Sequence, residues 1–349
     1  MKNQFSTGNE IREAAFYTMD DFPFVQKFDA HMHINTHSEV LINFAKANNL
    51  GLLSINVDVP DFPSLEQQQE FTTGHFKNNP EHFSFIASFR IQDMEDPGWL
   101  EKTISRLDDA FERGAVGVKV WKNIGMEYKD KNRDFVMIDD PRLDPVFDVI
   151  AKKNKTLLGH LGEPKNCWLP VEEMTVANDK EYFSHHPEYH MYLHPEYPSY
   201  QKQIEARDHM LEKHPDMRFV GAHLASLEWS VDEIAERLDR FPNLAVDMAE
   251  RISHLQHQAV NGYEKVRDFF IRYQDRILYA TDITVDDSIS PETVRANAYS
   301  TWINHWRFFI SDEMMEAPEV PGKFRALHLP KEVIDKVYTT NIKKWYRIM

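Results

Sequence analysis

The sequence has little of what several common classes of protein need. One cysteine, Cys167, in 349 residues rules out a disulfide within the chain and favours a reducing compartment. Lys and Arg number 40 against 56 Asp and Glu, so the formal net charge is −16, and no basic stripe is present to bind nucleic acid. No stretch approaches the roughly 20 apolar residues that span a membrane, and residues 1–25 lack the apolar centre of a secretion signal. We therefore expect a cytoplasmic protein that binds neither nucleic acid nor membrane.

Glycine-rich phosphate-binding motifs are also missing. Neither G-x-G-x-x-G nor a Walker sequence occurs, although a doubly wound nucleotide-binding sheet would be expected to carry one. What is present is a series of short apolar runs rich in β-branched and aromatic residues. Each run is continuous rather than alternating, which is typical of parallel strands covered on both faces. The runs cover residues 27–34, 50–58, 82–90, 115–121, 156–162, 217–224, 243–249 and 276–283.

Stretches with helical periodicity separate most of these runs. Eight strands alternating with helices over about 250 residues is the pattern of a (β/α)₈ barrel, and a doubly wound sheet is the alternative. We predict one α/β domain over residues 1–349: a TIM barrel with a long lid at 163–198, after strand five, and extra C-terminal helices after residue 290 that pack beneath it. The predicted helices include 38–49, 98–114, 140–154, 199–215, 230–242 and 263–275.

Polar residues stand where these apolar runs end. In "FDAHMHIN" (28–35), His31 and His33 are one residue apart, so an extended strand would direct both to one side, together with Asp29. Such positions are informative because burying a polar group without a partner costs roughly 2–7 kcal/mol. Four further polar residues end later strands: Lys119, His160, His223 and Asp282.

The carboxyl ends of barrel strands meet at one face, so these six side chains are expected in one pocket. Imidazole and carboxylate groups are common ligands of zinc. A histidine pair alone could be a hydrogen-bonded polar strand end, but six such residues on five strands favour a divalent-metal site.

Five motifs carry a resemblance to a known family. They are "DAHMH" (29–33), "GVKVW" (117–121), "GHLGEP" (159–164), "GAHL" (221–224) and "YATDI" (279–283). In this order, from about residue 27 to the C-terminus, the chain resembles the amidohydrolase superfamily, and most closely its amidohydrolase-related branch (amidohydrolase family 2). The resemblance implies that one divalent ion, usually zinc, is bound by His31, His33, His160 and Asp282. His223 would then be a catalytic histidine or a ligand of a second ion.

The function implied is that of a metal-dependent hydrolase. A metal-activated water would attack a carbonyl of a small-molecule substrate, an amide, lactone or related bond, with Asp282 accepting the proton and His223 stabilising the oxyanion. The alternative is a metal-dependent lyase, such as a non-oxidative decarboxylase of an aromatic or dienoic acid. It would need an arginine near the metal, for which Arg90 and Arg251 are candidates. A non-catalytic metal-binding barrel is a third hypothesis, and a homo-oligomer is left open.

Several residues are candidates for substrate binding, each with a structural alternative. Lys119 is either a carboxylated lysine that bridges two ions, with His223 on the second ion, or a buried lysine paired with a carboxylate. Arg90 would clamp a carboxylate or form a salt bridge at the rim. Glu163 would orient a ligand or cap a loop, and Trp168, with Tyr182, would wall the pocket or pack the lid onto the barrel.

The remaining histidines of interest are interpreted as surface residues. Prolines 187 and 195 interrupt the helix that metal ligation at i, i+4 spacing would need in the lid. The residues so assigned are His185, His186, His190 and His194 in the lid, and His254 and His257 further along the chain.

Overall fold

The structure, a computed structural model, describes residues 15–348. Its main sheet is parallel, and its strands lie in the order β8-β7-β6-β5-β4-β3-β2-β1-β9. The strands are β1 Lys27–Asn35, β2 Leu50–Ile55, β3 Phe83–Ser88, β4 Gly117–Val120, β5 Thr156–Gly159, β6 Arg218–Gly221, β7 Leu244–Asp247, β8 Ile277–Leu278 and β9 Thr284–Asp286. Seven of the eight predicted strands are found as single strands, and the eighth is found in two parts.

The two parts of the eighth strand close the barrel. β8 pairs with β7, whereas β9 pairs with β1. Between them the backbone continues to bond to β1, because Ala30 N donates to Tyr279 O at 2.9 Å and Asp282 N donates to His31 O at 2.8 Å. The first and last strands are therefore neighbours, and the predicted (β/α)₈ barrel is confirmed.

Helices surround this barrel, and most have the predicted bounds to within a few residues. The exceptions are Leu65–Asn78 and, in the lid, Ala177–His185, which were not among the predicted helices. Ile252–Arg272 also differs, because it begins well before the predicted residue 263, and non-helical dihedrals at Gly262 divide it. The helices are α1 Val40–Ala47, α2 Leu65–Asn78, α3 Trp99–Glu112, α4 Asp144–Lys152, α5 Ala177–His185, α6 Tyr200–Lys213, α7 Val231–Arg240, α8 Ile252–Arg272, α9 Pro291–Ile310, α10 Lys331–Asp335 and α11 Asn341–Tyr346. None of the helices in residues 15–348 is long and apolar enough to cross a membrane.

Shorter elements complete the chain. Asn123–Met126 and Ala222–Ala225 are irregular turns, and a small hairpin pairs β10 Met314–Met315 with β11 Phe324–Arg325. A π-helical turn, Lys336–Thr340, joins α10 to α11. The 3₁₀ turns are Met19–Asp21, Lys165–Trp168, Val171–Glu173, Pro187–Tyr189 and Met191–Leu193.

The amino-terminal end of the barrel is closed by α11. Ile342, Trp345 and Tyr346 pack among the aliphatic side chains that fill the barrel interior. Thr156, the first residue of β5, donates its hydroxyl to Trp345 O at 2.5 Å. The helix therefore forms an apolar floor, and the prediction that C-terminal helices pack beneath the barrel is confirmed for α11. It is wrong for α9, which lies beside the barrel and stacks Trp302 on Phe44 of α1.

The lid, residues 163–198, packs through a small apolar core of its own. That core includes Cys167, Phe183 and Met191. The lid is also tied to the barrel by α5, since Asp179 Oδ2 lies 3.2 Å from His254 Nε2 with both side chains buried. His254 is therefore an interior residue, and its assignment to the surface was wrong: an ion-pair partner supplied by a distant loop cannot be seen in the sequence.

Candidate metal centre

A β-bulge in β1 directs its two histidines into the barrel. The pairing of β1 with β2 changes register between Asp29 and Met32. Ala30, before the shift, faces the barrel interior, and Met32, after it, belongs to the outer core. His31 and His33 therefore point inward, and both are buried. A bulge of this kind re-aims the side chains that follow it.

The bulge turns Asp29 away from the two histidines. Its Oδ2 accepts hydrogen bonds from Thr281 Oγ1 at 2.6 Å and from Trp302 Nε1, on α9, at 3.1 Å. The expectation that Asp29 shares a face with His31 and His33 was therefore wrong. Strict alternation along a strand fails wherever an extra residue is inserted.

Two imidazoles are held in one tautomer by backbone carbonyls. His33 Nδ1 lies 2.8 Å from Ile55 O, and His223 Nδ1 lies 2.9 Å from Ala249 O. A carbonyl oxygen only accepts, so each Nδ1 must carry the hydrogen, and Nε2 of the neutral ring keeps its lone pair. Burial lowers the pKa of His223 to about 3, so its ring is neutral at neutral pH.

Asp247 holds His31 in the same way. Its Oδ2 lies 2.8 Å from His31 Nδ1, and its Oδ1 accepts the backbone N–H of His223 at 2.9 Å. Burial alone would raise the pKa of Asp247, but the neighbouring histidines hold it below its usual range. A carboxylate behind a histidine is a common outer partner in metal sites. Sequence reasoning missed Asp247, although it ends a buried strand exactly as the other candidates do.

The free Nε2 atoms converge on Asp282. His31 Nε2 and His33 Nε2 lie 3.3 Å and 3.2 Å from Asp282 Oδ1, and His223 Nε2 lies 3.9 Å from Oδ2. Burial would raise the pKa of Asp282, but the imidazoles around it hold the pKa well below its usual range. Ligand atoms of His31, His223 and Asp282 all lie within 4.8 Å of one another.

These groups fit a bound cation. Asp282 Oδ1 is buried and has no hydrogen-bond partner in residues 15–348. It faces imidazole nitrogens that also have lone pairs to offer, so acceptors meet acceptors. One donor, Lys119 Nζ, lies 3.2 Å from His31 Nε2, and a divalent cation would satisfy the remaining acceptors. The donor set therefore passes a chemical test for a divalent metal.

His160 belongs to the same cluster. Its ring centroid lies 4.1 Å from that of His223. It is enclosed, and burial lowers its pKa well below the ordinary value, so the ring is neutral. Its Nε2 also finds no partner in the part of the chain that the structure describes. The structure thus brings together all five of the predicted histidine and aspartate residues of the site.

Lys119 is the donor in this cluster. Its Nζ lies 3.2 Å from His31 Nε2, and the side chain is fully buried at the end of β4. Burial lowers its pKa to about 8. Its contact with His31 differs from the carboxylate pair that was the structural alternative for this lysine.

The backbone at His223 has an unusual, left-handed conformation. His223, Leu224, Ala225 and Ser226 all have φ between 55° and 58°, a left-handed turn containing no glycine. Left-handed conformation costs roughly 1–2 kcal/mol per residue. Buried hydrogen bonds offset this cost: Arg207 donates to Ala225 O at 2.5 Å, and Ser226 Oγ donates to Leu161 O at 2.9 Å. The sequence "GAHLAS" carries no signal of this turn.

A cavity of about 500 Å³ opens above the cluster. Phe62, Trp121, Tyr182 and Tyr189 give it aromatic walls, and the lid contributes His186 as well. His186 borders the cavity with its side chain 45% exposed, so its assignment to the surface holds. His190 is buried, with Nε2 2.8 Å from Leu169 O. The assignment of His190 to the surface was wrong, because the short turns of the lid fold back over the barrel.

The other predicted substrate-binding residues stand apart from the histidines and Asp282. Arg90 pairs with Glu66 at 2.9 Å on the rim and does not line the cavity. Glu163 forms a buried ion pair with Lys122, which does line it. Trp168 packs its ring against that of Tyr200, the first residue of α6, with centroids 5.5 Å apart, and so joins the lid to the barrel helices. Of these residues, Lys119 alone lies among the convergent side chains.

Comparison with known proteins gives a family and a fold. A family model described as amidohydrolase matches residues 94–348. No curated protein matches the sequence. A solved structure of an amidohydrolase II shares 14% identity, with a TM-score of 0.53 over 92% of this chain and 100% of that one.

Two further solved structures are similar to the same extent. An uncharacterised TIM-barrel protein from Bordetella bronchiseptica shares 12% identity, with a TM-score of 0.52 over 93% of this chain and 99% of that one. A 2,6-dihydroxybenzoate decarboxylase from Rhizobium shares 14% identity, with a TM-score of 0.51 over 92% and 98%. At such identity the likeness concerns the fold alone.

Proposed function

This chain belongs to the amidohydrolase family, and from that premise we propose that it is a metal-dependent hydrolase acting on a carbonyl of a small-molecule substrate. The bond cleaved is an amide, a lactone or a related linkage. The observation that carries the proposal is the convergence of three Nδ1-protonated imidazoles on Asp282, whose Oδ1 is buried without a hydrogen-bond partner.

The proposed metal is a single divalent ion, zinc in the first instance. His31, His33, His160 and Asp282 would hold it, and the lone pair of His223 Nε2 is directed at the same place. Bound there, the ion supplies Lewis acidity to a substrate oxygen or to a water.

The protein's own groups then have separate tasks. Asp282, ionised and inside the cavity, accepts the proton of the attacking water and passes it to the leaving group. His223, neutral with its hydrogen on Nδ1, has no hydrogen on Nε2 to donate to an oxyanion. Lys119 takes that role in this proposal, because its Nζ is the donor aimed at the cluster. The role of His223 accordingly shifts from oxyanion stabiliser to metal ligand.

The decarboxylase alternative has less support. It needs an arginine to hold the substrate carboxylate near the metal. Arg90 is engaged by Glu66, and Arg251 donates through Nη1 to Glu250 O, although its buried Nε has no partner in residues 15–348. Neither lines the cavity among the residues described, and Lys122 is already paired with Glu163.

Metal analysis is the first test. Protein purified without chelator should carry about one divalent ion per chain, as a catalytic zinc site does. A screen of lactones, amides and aromatic carboxylates should then give turnover that chelation abolishes and zinc restores. A stoichiometry near zero that neither zinc nor manganese raises would rule out the metalloenzyme. Turnover of aromatic carboxylates alone would establish the lyase instead.

Variants at two positions test the assignments within the site. His223→Asn should lower metal affinity, whereas His194→Asn, in the exposed part of the lid, should leave it unchanged. If His223→Asn keeps its full metal content but loses turnover, His223 is a catalytic residue and not a metal ligand. Lys119→Met should keep the metal and lower kcat/KM by about 10²–10³-fold, the effect of losing an oxyanion donor. Loss of metal that a short carboxylic acid rescues would show that Lys119 is carboxylated.

A further inference from the structure

A second cavity, of about 750 Å³, lies beside the metal centre. It is bounded by α9, the β10–β11 hairpin, the start of α8 and the first turn of the lid helix α5. It shares no lining residue with the cavity above Asp282. The proposed hydrolase reaction makes no use of it.

A buried amide without a partner faces this second cavity. Gln256 lines the cavity and is 6% exposed, and its side chain forms no hydrogen bond within residues 15–348. Asn178 and Ser253 line it too, although Asn178 Oδ1 and Ser253 Oγ themselves are enclosed. Because a buried amide is stabilised by a hydrogen-bond partner, Gln256 points to a ligand that supplies hydrogen-bonding groups.

The charges around the cavity exclude an anionic ligand. Lys323 Nζ lies 2.8 Å from Glu316, and Arg307 Nε donates to Glu313 at 3.0 Å, so both cations are already neutralised. Burial lowers the pKa of His305, in the wall, to about 4, and that ring is neutral at neutral pH. No unpaired cation lines the cavity in the described part of the chain, so a phosphate or carboxylate ligand would find no counter-charge.

The uncharged polar side chains that line the cavity can form hydrogen bonds with the hydroxyl groups of a ligand. Amides and alcohol side chains both donate and accept, as hydroxyl groups do. The lining contains Asn304, Thr301 and Ser300 in addition, and carboxylate acceptors at Glu250 and Glu319. It holds no Phe, Tyr or Trp, so a planar heteroaromatic ligand would have no ring to stack on. A volume of this size is in the range of small-molecule sites.

We propose that this cavity is a second binding site, for a small polyhydroxylated molecule such as a monosaccharide or a polyol. Gln256 provides the buried contact, and Asn304 closes the outer edge. The site goes beyond the hydrolytic reaction, and its test does not depend on that reaction.

Calorimetric titration with D-glucose and with sorbitol tests the proposal, with citrate as the anionic comparison. The purified full-length protein should bind at least one of the two neutral probes saturably and should not bind citrate there. Gln256→Ala should weaken binding about tenfold, equivalent to one good hydrogen bond. Asn304→Ala, at an exposed position that folding tolerates, should weaken it as well. Asn261→Ala, exposed on the same helix α8 outside the cavity, is the matched control and should bind as the parent does.

Asp282→Asn separates the two cavities. Sugar or polyol binding should be unchanged in this variant, and a crystal soaked with the probe should show it against Gln256. The proposal is overturned if neither neutral probe binds, if Gln256→Ala and Asn304→Ala bind as the parent does, or if binding is lost in Asp282→Asn but kept in Gln256→Ala. That last outcome would locate the ligand in the metal cavity and would leave the hydrolase proposal standing.

Discussion

The two ends of the barrel differ in the chemistry of the side chains that they bury. At the amino-terminal end, α11 presses Ile342, Trp345 and Tyr346 against aliphatic side chains, and this floor is apolar. At the carboxyl end, Asp282 and the histidines bring acceptor atoms together without enough donors. One end gains stability from burial, and the other keeps an arrangement that only a bound cation satisfies. Substitutions at the floor should therefore change stability alone, and substitutions at the metal centre should change metal binding and turnover.

The largest expected effect is at Asp282. Asp282→Asn should lower turnover by about 10²–10⁴-fold, the usual contribution of general acid–base catalysis, and should weaken metal binding because a charged ligand becomes neutral. Kinetics and metal analysis measure the two quantities, with Asp286→Asn in β9 as control. Near-normal turnover would mean that the proton acceptor is elsewhere.

Trp345→Ala should give the converse result. Removing a buried tryptophan from the floor should lower the free energy of unfolding by about 3–5 kcal/mol, while the folded protein keeps its metal. Trp121→Ala, at the half-buried wall of the metal cavity, is the matched substitution at the other end and should cost much less stability. Urea titration with metal analysis on both variants decides the matter. If folded Trp345→Ala loses its metal, the two ends are coupled and the contrast between them fails.

Substitution of Asp247 tests whether a residue that contacts a proposed ligand, but not the metal itself, contributes to metal affinity. Asp247→Asn should lower metal affinity by about 10–100-fold, the range for an outer partner of a ligating histidine, because His31 loses a charged acceptor at Nδ1. Competition with a chelator of known affinity measures the change. Asp239→Asn, an exposed position at the end of α7, should leave affinity untouched. An unaltered affinity in Asp247→Asn would show that the backbone alone orients His31.

The last contrast concerns one ionisable group at the floor end. Lys27, the first residue of β1, is fully buried, and its Nζ donates to Val25 O at 2.5 Å and Asn48 O at 3.0 Å. Burial lowers its pKa to about 7, from 10.5. Between these values the unfolded chain holds the extra proton, so this group makes stability rise with pH, by up to about 1.4 kcal/mol per pH unit. Because Lys119, whose pKa is lowered to about 8, adds a slope of its own, unfolding curves from pH 7 to 10 should rise less steeply in Lys27→Met than in the parent, by that amount. Parallel curves would mean that Lys27 stays charged in the folded protein.

The fold and most of the candidate site could be predicted from the sequence, because both depend on local patterns of apolar and polar residues. Apolar runs marked the strands, and polar residues at their ends marked His31, His160, His223 and Asp282. The helix α2 was missed although "SLEQ" has the capping-box spacing, which the structure forms between Ser64 and Gln67. Its stretch is polar, so hydrophobic periodicity gave little signal.

What the sequence could not supply depends on distant contacts. The bulge at Asp29 follows from pairing with β2, and the left-handed turn at His223 is held by Arg207 from another helix. The tautomers of His33 and His223, on which their roles depend, are set by carbonyls at the ends of other strands. Arg90 and His254 were misjudged or left open for the same reason, because their partners lie far away in the chain.

Closure of the barrel by β8 and β9 has a consequence for biosynthesis. β1, which carries His31 and His33, bonds to residues 279–286 and cannot complete its pairing until these emerge from the ribosome. About 250 residues separate the two segments, which takes roughly 12–50 s at about 5–20 residues per second. Throughout that interval the nascent chain presents an unpaired strand edge, the kind of surface on which chains aggregate. Yield in the cell should therefore respond to chaperone supply and growth temperature more than the stability of the finished protein would suggest.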